Sequence, residues 1–245
     1  MSASLLLLLA LCIMTVAVLY SCVGHGGASG YIAILALFSI APATFKPTAL
    51  VLNILVSSVA AYYFVRAGHF SWRLFWPFAA TSIPFSFIGG YLCLPTHVYQ
   101  PLVGIVLLAS AYRLFPWKER EAVKAPRPST PAALFAGAVL GFLSGLVGVG
   151  GGIFLSPLLL LLKWARIKEV SAVAAMFILV NSVAGLLGHV GSLQAVPRYV
   201  PLLAVAALCG GITGSFLGSR RIPAGGIVKA LSVVLTIAGL KLLLV

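Results

Sequence analysis

Gly148-Val149-Gly150-Gly151-Gly152 separates an apolar run ending at Val147 from a short one that leads into Ser156-Pro157. Glycine has no Cβ, so it admits φ > 0 and lets a ligand or a second backbone come close. In a chain this apolar, such a run interrupts a helix and bares backbone N–H groups where water is scarce. Gly24-His25-Gly26-Gly27 repeats the pattern 124 residues earlier, with Gly24, Gly26 and Gly27 aligned on Gly148, Gly150 and Gly151. The same ungapped offset lays Ile54-Leu55-Val56-Ser57-Ser58-Val59-Ala60 on Ile178-Leu179-Val180-Asn181-Ser182-Val183-Ala184. The chain therefore reads as an internal duplication.

Composition sets the solvent of the fold. Of 245 residues, 62% are hydrophobic and 8% charged, with a mean hydropathy of +1.16, which excludes a soluble domain with one core and predicts an all-α polytopic membrane protein. The formal charge of +13 does not indicate nucleic acid, because Lys and Arg lie in short loops between apolar runs and so orient the chain in a bilayer. Cys12, Cys22, Cys93 and Cys209 sit in or beside apolar runs without metal or disulfide spacing, and read as packing residues.

The expected plan is a first transmembrane repeat over 1–115, a cytoplasmic linker over 116–131 and a second repeat over 132–245. The apolar run 5–23 lacks the basic flank and cleavage site of a signal peptide, so it is expected to be a retained span. Residues 31–41 are too short to cross about 30 Å of hydrocarbon comfortably and read as a half-helix or re-entrant segment. Helices follow over 47–65, 74–94 and 98–115, and the second repeat matches with 132–147, the short 153–162, 170–189, 200–217 and 227–244. If each segment crosses, thirteen Lys and Arg fall on one face and only Lys46, Arg198 and Lys241 on the other. The positive-inside rule then selects ten segments with both termini non-cytoplasmic. Five crossings per half is an odd number, so the two repeats would be inserted in opposite orientations, as inverted repeats.

A half-helix N-terminus inside the bilayer offers unpaired N–H groups and a positive dipole end, which favours an anion. Gly24, Gly26, Gly27, Gly148, Gly150, Gly151 and Gly152 are accordingly candidates for binding substrate. Gly137, Gly141 and Gly145, like Gly210, Gly214 and Gly218, are four apart and read first as close-packing seams. Asn53, Ser57 and Ser58, with Asn181 and Ser182 in the second half, supply neutral donors suited to an oxyanion; the same residues also read as interhelical or back-bonding polar glue. His25 could donate to an anion or change charge near neutral pH, or it is an interfacial polar residue. His69, His97 and His189 lie near segment ends and read as interfacial. Lys46 and Lys168, near opposite faces, are expected in the two entrance vestibules. The three acids, Glu119, Glu121 and Glu169, all fall in basic-side loops, leaving no carboxylate within a span to relay a proton or hold sodium. No metal constellation, nucleophile–base pair or phosphate loop is present, so neither cofactor nor catalysis is expected.

Gly24-x-Gly-Gly27, Gly148-x-Gly-Gly-Gly152 with Pro157 downstream, the Lys46-Pro47-Thr48-Ala49 helix entry and the Ile-Leu-Val-Ser/Asn-Ser-Val-Ala repeat together resemble the TauE/SafE family of membrane permeases over nearly the whole chain. The chain departs from the fuller pattern where Ala28-Ser29 replaces a third glycine and no proline aligns with Pro157. The resemblance implies a multi-pass inner-membrane exporter of a small anion such as sulfite, another sulfur oxyanion or an organosulfonate, with the lipid bilayer and that anion as its partners. Two alternatives stand beside it: a proton-coupled organic-anion carrier using His25, and a non-transporting membrane assembly protein whose glycine seams hold partner helices. Oligomeric state is not legible.

Overall fold

The computed structural model describes residues 3–41, 44–92, 95–114, 128–162, 164–189, 197 and 199–220, with seven positions between 232 and 243. Residues 116–127 of the expected linker over 116–131, and most of the expected span over 227–244, lie outside the described residues. Every regular element described is a helix: α1 (Ala3–Ser21), α2 (Ala28–Leu37), α3 (Phe45–Arg66), α4 (Trp72–Tyr91), α5 (Thr96–Leu114), α6 (Thr130–Val147), α7 (Gly152–Leu161), α8 (Ile167–Gly188) and α9 (Val200–Arg220). Most start two or three residues before the apolar runs that announce them, because polar residues and proline fit the first helical turn. Pro131 near the start of α6 is the clearest case, since proline's fixed φ suits that turn and its missing N–H costs nothing there.

Among the described residues, α1, α3, α6, α8 and α9 are long and apolar enough to cross a membrane. By contrast, α2 and α7 have 10 residues each, about 15 Å of helix. Every residue from Ala28 to Ala36 is buried, so α2 is wrapped by protein on all sides. Leu7, Leu11, Phe135, Ile105 and Val205 point outward, as befits side chains solvated by lipid.

Two large apolar clusters fill most of the interior, beside a small one of Ala60, Ala61 and Ala175 where α3 meets α8. One gathers α1, α2, α3 and α9 through Leu9, Ile13, Tyr31, Leu35, Leu52 and Leu203. The other gathers α4, α6, α7 and α8 through Phe78, Leu155, Leu159, Val173 and Phe177. Between them α3 packs on α8 and α9, and α4 on α8.

Both glycine rows expected to be seams are seams. On α6, a Cβ at Gly137, Gly141 or Gly145 would strike the carbonyl oxygens of Phe78, Ser82 and Ser86 on α4. On α9, Gly210, Gly214 and Gly218 lie in the same way against the carbonyls of Met14 and Val18 on α1 and of Cys22 just beyond its end. Hydroxyls fasten α4 to two neighbours: Thr81 Oγ1 donates to the Leu134 carbonyl of α6 at 2.7 Å, and Ser86 Oγ to the Asn181 carbonyl of α8 at 2.8 Å.

Candidate functional site

The site is assembled by two chain reversals of the same construction. Gly24 and Gly148 end α1 and α6 in the left-handed conformation, with φ of +75° and +79°. The next N–H in each case reaches back to the last turn, from His25 to the Tyr20 carbonyl at 3.0 Å and from Val149 to the Ser144 carbonyl at 3.3 Å. Gly27 (φ +97°) and Gly151 (φ +78°) then cap the starts of α2 and α7, and having no side chain they supply no capping bond. Helix geometry leaves the first N–H groups of both short helices without intrahelical acceptors, although the Phe154 N–H reaches the Gly151 carbonyl at 3.0 Å.

Asn53 on α3 lies between the two reversals. Its Oδ1 accepts the Ala28 N–H at 3.1 Å, and its Nδ2 donates to Ser182 Oγ on α8 at 2.8 Å. Its carboxamide also occupies the place that a Cβ at Gly26 or at Gly150 would need, and Ser182 Oγ would stand 2.7 Å from the latter. One amide thus touches both glycine runs and both long central helices. The outer ends of the runs are crossed over in the same manner: Gly24 abuts the Ser171 backbone on α8, and Gly148 abuts the Lys46 stem on α3.

His25 bridges the same gap from its own run. Its Nδ1 lies 3.0 Å from the Val23 carbonyl and therefore carries a proton, while Nε2 lies 3.2 Å from Ser156 Oγ on α7. With the ring neutral, Nε2 accepts the serine proton. A second proton on the ring would reverse that bond and turn the Ser156 O–H free to donate elsewhere.

The remaining expected residues divide. Asn181 is fully buried, with Nδ2 donating to the Phe177 carbonyl of its own helix at 2.8 Å. Its Oδ1 has no hydrogen-bond partner among the described residues. Ser57 is buried and bonds back to the Ile54 carbonyl at 3.3 Å. Ser58 is exposed and bonds to that carbonyl at 2.7 Å, so it stands apart from the Asn53 cluster. One helical residue of rotation, about 100°, separates the two serines and turns Ser58 outward.

Lys46 and Lys168, expected at matching entrances, occupy unlike surroundings. Lys168 is exposed, beside Arg166, His69 and Glu169, in a cavity of about 470 Å³ between the α3–α4 and α7–α8 connections. Lys46 is only 6% exposed, which corrects its placement in an open vestibule. Its ammonium donates to the Gly90 carbonyl at 3.2 Å and approaches that of Leu92 at 3.5 Å. Those carbonyls end α4, where the negative end of the helix dipole favours a cation. His189, expected at the interface, is likewise buried, and its Nδ1 donates to the same Gly90 oxygen at 3.2 Å.

Several residues escaped the sequence reading: Tyr31, Ser86, Ser144 and Ser156. Helical spacing would have flagged two of them, since Tyr31 follows Gly27 by four residues and Ser144 precedes Gly148 by four. Ser86 and Ser156 meet partners 95 and 131 residues away, and nothing local marks them. No group of three or more His, Cys, Asp or Glu that could hold a metal occurs among the described residues.

The chain is 41% identical over 96% of its length to the "Probable membrane transporter protein y4hK" of Sinorhizobium fredii, 97% of which is covered. It is 26% identical over 58% of its length to the "Probable membrane transporter protein MJ0441" of Methanocaldococcus jannaschii, 54% of which is covered. No solved structure matches the chain. The family model described as "Sulfite exporter TauE/SafE" matches residues 9–242, and the chain therefore belongs to the TauE/SafE family of membrane transporters.

Proposed function

We infer that this transporter is a permease for a small anion, a sulfur oxyanion such as sulfite or an organosulfonate, which it exports across the inner membrane. The observation that carries the reading is the single Asn53 carboxamide lying against both glycine runs, at the N-termini of α2 and α7. Two dipole ends and their first-turn N–H groups then converge on one place without a fixed cation in it. Hydrogen bonds of roughly 1 to 3 kcal/mol each would replace part of the anion's hydration and still allow release. Gly26, Gly27, Gly150 and Gly151 supply the backbone, and Ser57, Asn181 and Ser182 the side chains.

Helix pairing supports an inverted repeat. Exchanging α1 with α6, α2 with α7, α3 with α8 and α4 with α9 turns the α1–α9 contact into α6–α4, α3–α9 into α8–α4, and α2–α3 into α7–α8; all six contacts exist. The two apolar clusters exchange in the same way. With five segments per half and the basic loops on one face, that exchange is a two-fold axis in the membrane plane, and both termini lie outside the cytoplasm.

An interior-negative potential contributes about 2.3 kcal/mol per charge per 100 mV, so a monoanion leaves the cell without a coupling ion. The His25–Ser156 bond favours one alternative, proton coupling through His25. Purified protein in liposomes, assayed with sulfite, thiosulfate, methanesulfonate and acetate, decides between them. Potential-driven flux with no response to a pH gradient at zero potential supports the permease. Flux that follows the pH gradient supports the carrier, and no flux of any of the four refutes transport of this class.

A further inference from the structure

Two buried hydroxyls stand at the starts of the two short helices, and nothing so far uses them. Tyr31 is 0% and Ser144 1% exposed, and neither Tyr31 Oη nor Ser144 Oγ has a hydrogen-bond partner among the described residues. Tyr31 Oη lies 2.7 Å from where a Cβ on Gly27 would stand, and Ser144 Oγ lies 3.3 Å from the corresponding point on Gly151. Those glycines are the N-caps of α2 and α7. Each dipole end that could receive an anion thus has one unengaged O–H group held against it.

Local geometry brings them there by different routes. A helical side chain leans toward its own N-terminus, so Tyr31, in the first turn of α2, folds its ring back over Gly27. Ser144, in the last turn of α6, reaches Gly151 because the intervening Gly148 turns the chain back on itself. The duplication does not account for the pair. The position 124 residues after Tyr31 is Leu155, and 124 before Ser144 is Tyr20, whose hydroxyl is already bonded to Ser29 Oγ at 2.8 Å.

A buried hydroxyl without a partner is destabilising, whereas Phe at 31 or Ala at 144 would nearly fill the same space without that penalty. We propose that Tyr31 Oη and Ser144 Oγ are substrate-binding groups, each donating one hydrogen bond to an oxygen of the transported oxyanion at the N-terminus of its short helix. This rests on the anion-permease reading above. It adds two directional donors, one at each helix start, to the backbone N–H groups, amides and serine hydroxyls already assigned to the site, and so favours an anion with two separately placed oxygens over a spherical one.

The test uses Tyr31→Phe and Ser144→Ala in the full-length protein, with sulfite as the probe. Melting temperature without added anion should equal or exceed that of the parent, since only an unpaired group is lost. The sulfite concentration for half-maximal flux, and for half-maximal thermal stabilisation, should rise about ten- to a hundredfold in each variant, with chloride stabilisation unchanged. Half-saturation values equal to the parent's, with the parent transporting sulfite, would overturn this proposal alone and leave the permease reading standing. A lower melting temperature in both variants without anion would also overturn it, because the hydroxyls would then have structural partners. If the parent neither binds nor moves sulfite, thiosulfate, methanesulfonate or acetate, the permease reading fails and this inference fails with it.

Discussion

Asn53 Nδ2 donates to Ser182 Oγ at 2.8 Å, joining α3 to α8 across 129 residues of sequence, and both groups are fully buried. Because Asn53 Oδ1 at the same time accepts the Ala28 N–H, removing Asn53 strands one donor and one acceptor, whereas removing Ser182 strands only the Asn53 donor. A buried polar atom left unpaired costs about 1 to 3 kcal/mol. Asn53→Ala is therefore expected to lower the melting temperature in detergent more than Ser182→Ala. A double variant should lose less than the sum of the two, since the residues share one bond. Strict additivity in that cycle would contradict the bond.

Gly150 and Gly68 separate two reasons for glycine. Both have positive φ, +73° and +77°, but a Cβ at Gly150 would meet the Asn53 and Ser182 side chains, whereas one at Gly68 has nothing within 4 Å. Gly68→Ala should cost only the left-handed strain, about 1 to 2 kcal/mol, and leave sulfite flux intact. Gly150→Ala carries the same strain plus displacement of the Asn53 amide. The expected result is a larger loss of stability together with weakened anion affinity. Equal effects of the two substitutions would show that the space around Gly150 is not used.

The unlike settings of the two lysines predict unlike salt dependence. Lys168 stands in an open, basic cavity, so Lys168→Gln should slow flux chiefly at low ionic strength, where a charge on the surface is least screened. Lys46 is bonded to the end of α4, and its loss leaves the Gly90 carbonyl to His189 alone. Lys46→Gln should lower the melting temperature at every salt concentration. Flux measured from 20 to 500 mM salt, beside thermal melts, checks both; a salt-independent effect of Lys168→Gln would rule out an electrostatic entrance.

Orientation is predicted by loop charge and the odd number of segments in each half. A reporter fused after Val245 should report the non-cytoplasmic side. A cytoplasmic C-terminus would exclude the inverted arrangement of ten crossings.

Much of the fold is written in local sequence, because a bilayer and a helix each impose a one-dimensional rule. Apolar runs long enough for hydrocarbon mark α1, α3, α6, α8 and α9, glycines that adopt φ > 0 without steric cost mark the starts of α2 and α7, and the four-residue spacing of Gly137, Gly141 and Gly145 marks a seam. The ungapped offset by itself also puts the two glycine runs in register. Tertiary structure decided what those elements enclose. That Asn53 lies between both runs, that His25 meets Ser156, and that Lys46 is buried on α4 rather than open like Lys168 all depend on contacts between residues 44 to 131 positions apart. Such contacts follow from how helices pack against one another, and neither hydropathy nor glycine spacing carries that information. The duplication even misleads here: it pairs Asn53 with Phe177, so the amide at the centre of the site exists in one half only, and its position became legible only when α3 met α8.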